Sequence, residues 1–269
     1  MDNNTNNMMI MHERHLMSRP VQERFASVLS MRAVPFIQGV LLAVATSENL
    51  QKCTPDSIQA AAMEAAILEL SCAPSVKQAY LLPIMKRYKE GNQWRVKWEA
   101  MFYPHYLGLY QLAMRSGQYL KLDVIALPHG YKLQHDLGTH QELVVDGLGN
   151  VVKYSPDISE RAAGGWLAYY VAKNGASKNI FNTKAQIHER VRTYPSYKNP
   201  KSNWHDTNQV HIMEKKDMLR QLLKYADKQG ITDEKLHRAM QAADQETSEI
   251  LDGEVTPNMN ALPVDEAFK

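Results

Sequence analysis

Four cations recur every fourth residue in the last third of the chain: Lys216, Arg220, Lys224 and Lys228. On an α-helix this spacing draws them into one slanted row, roughly 18 Å long at a rise of about 1.5 Å per residue. Like charges four apart cost a few tenths of a kcal/mol per pair, partly offset by Asp217 and Asp227. A row kept at that cost points to an anionic ligand more than to helix stability; the plain alternative is a solvated face. From Lys178 to Lys228 eleven cations, Lys198 among them, stand against five anions, with Tyr194, Tyr197, Trp204 and Tyr225 interleaved. Cations that track phosphates and rings that stack on bases are what sequence-independent binding of single-stranded nucleic acid needs. Such rings are more often core than platform. Trp204, in the polar loop PSYKNPKSNWHDTN, is the best placed to stack.

Two further groups carry the same chemistry. In YPHYLGLYQLAMRSGQY, Tyr106, Leu109, Tyr110 and Ala113 share a helix face. Arg115 falls in the last turn, where a cation suits the helix dipole, and Gly117 stands where a left-handed cap is expected. Gln118 and Tyr119 then open a strand, YLKLDVIAL. The result is a cationic, aromatic corner with no acid nearby, suited to a phosphate or a stacked base. In WRVKWEAMF, Trp94, Val96 and Trp98 alternate with Arg95 and Lys97, giving a strand with one apolar and one basic face.

Several enzyme classes find no support. No glycine is followed by lysine, so there is no phosphate-binding P-loop and a nucleotide-driven recombinase is disfavoured. No carboxylate pair with a nearby lysine reads as a nuclease site. His205 and His211 lack the partners of a zinc site, and no catalytic residue is assigned. The sequence assigns no cofactor, and a magnesium requirement leaves no mark in it.

The chain has 269 residues, 44% hydrophobic and 22% charged, enough for a sizeable core. No uninterrupted apolar run has the length of a membrane span, and the start lacks the pattern of a secretory signal. Cys53 and Cys72 lie in helical patterns, which argues for a reducing cytoplasm over a disulfide. The net charge of +2 hides an asymmetry: from Thr232 onward there are three Lys+Arg against nine Asp+Glu. A basic body suggests a polyanion partner, and an acidic tail suggests a protein contact or self-screening of the basic surface.

The elements that must position these residues follow an α+β order: N-terminal helices, a central, mostly antiparallel β-sheet with an inserted helix, and a long C-terminal helix. Residues 1–19 read as disordered. Helices start at Pro20, Pro35 and, behind a Thr54 cap, Pro55. Two strands, KQAYLLPIMKRY and WRVKWEAMF, turn through Lys89 to Asn92. Strands YLKLDVIAL, YKLQHD, QELVVD, VVKYS, GWLAYYV and KNIFN come next, with Asp146-Gly147 as a hairpin turn. Thr183 caps another helix, and a helix of about 20 residues ends before Gly230. The spacing predicts one α+β domain over 20–230 and an acidic, mostly disordered tail over 231–269.

The chain resembles the RecT/Redβ family of single-strand annealing proteins of phages and prophages. The resemblance rests on four motifs in order. Tyr80-Leu81-Leu82-Pro83 looks like the family's Tyr/Trp-x-x-Pro strand. Tyr106-Leu107-Gly108 leading to Arg115-Ser116-Gly117-Gln118-Tyr119 looks like its Tyr-x-Gly helix ending in Arg-Ser/Thr-Gly-Gln-Tyr. Gly165-Trp166-Leu167-Ala168-Tyr169-Tyr170 is similar to its Gly-Tyr-x-x-Tyr-Phe strand. Met213, Lys216, Leu219 and Arg220, preceded by Trp204, match its Met-x-x-Lys-x-x-Leu-Arg helix. One departure is Leu107, where the family often carries a cation; His105 or Lys97 is the candidate substitute.

The resemblance implies ATP-independent binding of single-stranded DNA and annealing of complementary strands in homologous recombination. It implies no covalent chemistry, and assembly into rings or helical filaments through the N-terminal helices. Single-stranded and annealed duplex DNA are the expected ligands. A partner exonuclease and a host single-strand binding protein are expected at the acidic tail, with no membrane, in the bacterial cytoplasm. The candidate DNA-binding residues are Arg95, Lys97, Arg115, Gln118, Tyr119, Lys198, Trp204, Lys216, Arg220 and Lys224. A sequence-specific duplex binder would need base-reading side chains at a helix end, where the long helix offers mainly lysine. A metal-dependent nuclease and a scaffold that meets an acidic protein rank lower still.

Overall fold

A computed structural model describes residues 3–249, except 139, 140, 155 and 201. The fold is α+β, and every strand pair in it is antiparallel. The residues form two compact units: one runs to Leu109 and resumes at Arg238, the other is Tyr110–His237. This differs from the one domain expected over 20–230.

The first unit opens with helices α1 (Asn3–Leu16), α2 (Arg19–Leu29), α3 (Ala33–Ala45), α4 (Glu48–Gln51) and α5 (Pro55–Ile67). The expectation of disorder over 1–19 is corrected by α1. Its polar look hides His12 and Leu16, both buried, and His12 Nε2 lies 2.9 Å from the carbonyl of Gln51. Together α2, α3 and the turn between them are long and apolar enough to cross a membrane. In the fold the stretch turns at Ser30, where φ is 52°, and sends Phe25, Ile37 and Val44 into the core. Thr54 caps α5 as expected, accepting from the Ser57 amide. The buried alanines of α5, Ala61, Ala62, Ala65 and Ala66, let it lie close to its neighbours.

Strands β1 (Ala79–Glu90) and β2 (Gln93–Pro104) form a two-stranded hairpin paired along its whole length. The start of α5 is tied to β2: the Ala100 amide donates to Ser57 Oγ, and the Thr54 amide donates to the carbonyl of Trp98. Both cysteines are buried, and burial pushes their thiols up to about 12.

Helix α6 (Tyr106–Arg115) comes next. Gly108 sets its approach: a Cβ there would sit 2.1 Å from the carbonyl oxygen of Gln78, so no side chain fits. The same carbonyl accepts the His105 amide at 2.9 Å. The glycine of the Tyr-x-Gly motif is thus a packing requirement.

In the second unit β3 (Tyr119–Leu127), β6 (Gly165–Ala172) and β7 (Ser177–Thr183) form a sheet with β6 in the middle. A separate hairpin pairs β4 (Lys132–Asp136) with β5 (Gln141–Val145). The expected central sheet is therefore three sheets, because β1 and β2 satisfy each other and α6 separates them from β3 in the chain. The expected strand VVKYS is reduced to one bridge, Val151 to Val145. There the Asp146 carboxylate accepts from the amides of Leu148 and Asn150 and curls the chain instead.

Helices α7 (Lys184–Val191), α8 (Pro195–Lys198) and α9 (Val210–Lys228) complete the unit. Thr183 and Gln186 form a reciprocal capping box at α7, and Gly230, at φ 67°, follows α9. Helix α10 (Glu234–Glu249) lies in the stretch expected to be mostly disordered. Leu236, Ala239, Met240 and Ala243 form its buried stripe at i, i+3, i+4 and i+7. The rest of the expected tail, 250–269, lies outside the described residues.

Candidate nucleic-acid interface

Helix α9 holds the cation row, but the row is graded. Lys216 and Arg220 are only 7% and 9% exposed, Lys224 is half-buried and Lys228 is exposed. The spacing put all four on one face, as it must; it did not say that the near half of that face is covered.

The acids of α9 do something that sequence reasoning missed. Glu214 is buried. It accepts from Trp166 Nε1 at 2.8 Å, lies 3.0 Å from His188 Nε2 and is approached by Lys184 Nζ at 3.8 Å. Asp217, also buried, binds Arg190: Nε donates to Oδ2 at 3.1 Å and Nη2 donates to the same oxygen. Tyr194 donates its hydroxyl to the other oxygen, and Arg190 Nη1 donates to Asn182 Oδ1. At the far end Asp227 accepts from Thr232 and sits 2.9 Å from His237 Nδ1. These two contacts hold its carboxyl below the usual carboxylate range. All three carboxylates of α9 are thus engaged by residues on β6, α7, the loop after α7 and the segment that follows α9. A sequence signal existed: Glu214 and Asp217 are three apart, so they share a helix side with one another.

Trp204 is not the exposed platform that its polar loop suggests. It is 5% exposed, with its ring 5.8 Å from both His188 and Tyr197. Tyr119 is corrected in the same way: it is 4% exposed and meets Tyr170 edge-on, and burial raises the pKa of its hydroxyl. Both rings are core. Arg115, Gln118 and Lys198 are exposed.

In the first unit Arg95 and Lys97 lie on the distal half of the β1–β2 hairpin, where every residue from Lys86 to Lys97 is exposed. Arg95 Nε is 2.5 Å from Glu90, and Glu99 pairs with both Lys86, at 3.2 Å, and Lys97. Those contacts, the hydrogen bond from Lys97 first, hold the Glu99 carboxyl below its ordinary range. Lys97 also lies over the Tyr88 ring, 5.7 Å from its centroid. Trp94 and Val96 share one face of β2 and Arg95 and Lys97 the other, as expected, but among the described residues nothing covers the apolar side chains: Trp94 is 71% exposed and Val96 51%. Sequence reading also passed over Lys86, Arg87 and Lys89 of β1, which raise the cations of the distal hairpin from two to five. Among the described residues no three His, Cys, Asp or Glu side chains gather closely enough to hold a metal ion.

Residues 35–251 match the RecT family. The chain is also similar to YqaK of Bacillus subtilis (strain 168), an uncharacterized protein. The two are 29% identical over 251 residues, which cover 89% of this chain and 78% of that one. The family match runs from α3 to just past α10 and takes in the hairpin, α6 and α9. The chain belongs to the RecT family, the single-strand annealing proteins of DNA recombination.

Proposed function

We propose that this chain binds single-stranded DNA and anneals complementary strands without hydrolysing a nucleotide, as an assembly of several protomers. The observation that carries the reading is the commitment of Glu214, Asp217 and Asp227 to partners outside the cation row of α9. Asp217 and Asp227 lie on the side of the row, but Arg190, Thr232 and His237 engage them, and the cations of the row outnumber them, which gives a basic field suited to phosphate. Lys224, Lys228, Lys198, Arg115 and Gln118 supply the accessible contacts in this reading. Lys216 and Arg220, screened less by water because they are buried, strengthen the field and fix its place. On the hairpin, Arg95 and Lys97 exchange Glu90 and Glu99 for phosphates. Cations that bind phosphates leave base edges unread, so pairing between two held strands selects the partner and supplies the free energy. The chemistry is physical, with no bond made or broken in the DNA.

Exposed Val28, Met31, Val34 and Leu42 on α2, α3 and their connecting turn supply the contact between protomers, in a ring or a helical filament. The site of action is the bacterial cytoplasm. The acidic segment from 231 onward is the contact for a partner exonuclease or a single-strand binding protein.

The test mixes two complementary oligonucleotides with the protein, without nucleotide, and follows duplex formation over a salt series. Rapid annealing with intact products is expected, with affinity falling steeply as salt rises. Lys216→Met with Arg220→Met keeps the buried stems and removes the charges. The pair should abolish annealing, with the urea midpoint monitored alongside. Annealing at the wild-type rate would refute the assignment of the row. Cleaved products would indicate a nuclease, and binding confined to one duplex sequence would indicate a base-reading protein.

A further inference from the structure

Side chains alternate across a strand, and directly paired residues share a face. The register Lys89 to Trp94, Arg87 to Val96 and Met85 to Trp98 therefore places Arg87, Lys89, Trp94 and Val96 together on one face of the distal hairpin. The opposite face carries Lys86, Tyr88, Arg95 and Lys97, already occupied with Glu90 and Glu99. Among the described residues neither Arg87 nor Lys89 enters an ion pair, and nothing covers Trp94. A cover for this face must be apolar and acidic at once.

The chain contains such a segment, and its attachment point is known. Helix α10 is fixed to the same hairpin at its base, where Ala243 clusters with Leu82 and Tyr103, and Tyr80 and Met101 pack around them. Residues 250–269 follow it, with Asp252, Glu254, Asp265 and Glu266 interspersed among Leu251, Val255, Leu262, Val264 and Phe268. From Leu82 to the turn is about 27 Å at 3.3 Å per residue. A random coil of twenty residues has a root-mean-square span of about 25 Å, and a chain of that length reaches at most ~66 Å. The tether thus keeps the acids near the hairpin at an effective concentration on the order of millimolar.

We propose that segment 250–269 docks on the Arg87–Lys89–Trp94–Val96 face of the hairpin in its own chain, and that single-stranded DNA must displace it. Docking follows from charge and tether alone; displacement by DNA rests on the annealing reading. Leu251, Val255 or Phe268 would cover Trp94 while the neighbouring carboxylates meet Arg87 and Lys89. The segment then serves as a built-in competitor that a polyanion removes and an isolated phosphate does not.

Zero-length carbodiimide cross-linking of the full chain, as a mixture of ¹⁴N and ¹⁵N protein, tests the docking without DNA. Cross-links from Lys89 to Asp252, Glu254, Asp265 or Glu266 within one isotope are expected, and Trp94→Ala with Val96→Ser should lower their yield about tenfold, the occupancy lost with the apolar half of the contact. Absence of these links while Lys215 still joins Glu160, 2.6 Å away, overturns the proposal; so do links found only between isotopes, which would mean a second copy's tail. Replacing the four acids (Asp252→Asn, Glu254→Gln, Asp265→Asn, Glu266→Gln) should tighten binding of a 30-nucleotide strand about fivefold at low salt, as expected for a competitor bound most of the time. Unchanged affinity would refute the competition. Loss of all DNA binding in the parent chain would refute the annealing reading and leave the cross-link result standing.

Discussion

The distal half of the β1–β2 hairpin and helix α9 each carry five cations, and the two regions surround them differently. On the hairpin all five are exposed, and the carboxylates that pair with three of them, Glu90 and Glu99, sit on the same ribbon. On α9 Lys216 and Arg220 are covered, while the acids of the helix are held by His188, Arg190 and Thr232. An exposed pair is worth little and exchanges readily; a buried charge is fixed in place and costly to strand. The hairpin can therefore trade partners, whereas α9 presents a charge pattern built into the fold. In the proposed reading the first region yields to DNA and the second keeps its charges in place.

The two tryptophans give the largest test of this contrast. Trp204→Ala should lower the free energy of urea unfolding by about 3–5 kcal/mol, the usual result of emptying a core site. Trp94→Ala should leave the unfolding midpoint in place and weaken single-strand binding by about 1–3 kcal/mol, the worth of one stacking ring. Reversal of these two outcomes would break the comparison.

The carboxylates come next. Asp217→Asn strands part of the Arg190 charge and should cost about 3 kcal/mol in the same assay. Glu99→Gln should cost much less, since its lysines return to water.

The smallest effect lies in acid. Asp227 and Glu99 have carboxyl pKa values below those of the unfolded chain. Their contribution is complete above the unfolded values, about 3.9 and 4.3, and is lost as pH falls through the lower, folded ones. Unfolding midpoints taken from pH 5 down to pH 2 should therefore fall. Asp227→Asn and Glu99→Gln should each flatten that fall, and an unchanged acid limb in both would show that neither contact stabilises the fold.

Local rules recovered what is locally determined. Thr54 and Thr183 announced their helices, Gly117 ended α6 in the left-handed region, and the paired strands around Gly91 were legible from composition. The failures share one cause. A four-residue repeat fixes which face Lys216 shares with Arg220, but not what lies over that face. A polar loop around Trp204 says nothing of the His188 and Tyr197 rings that receive it. Alternation marked the face of Trp94 and Val96 as apolar without saying whether anything covers it. In α10 the helical stripe was present in the sequence, masked by the acidic composition around it.

The burial of Cys53 and Cys72 has a practical side. With their thiols pushed up to about 12, the thiolate share of each at neutral pH is on the order of 10⁻⁵, and thiolate is the reactive form. Neither native residue competes for a maleimide dye. A single cysteine introduced at the exposed hairpin turn, as in Asn92→Cys, would then be labelled alone in an otherwise unaltered chain, which makes the hairpin the natural place for a reporter of the proposed exchange between strand and tail.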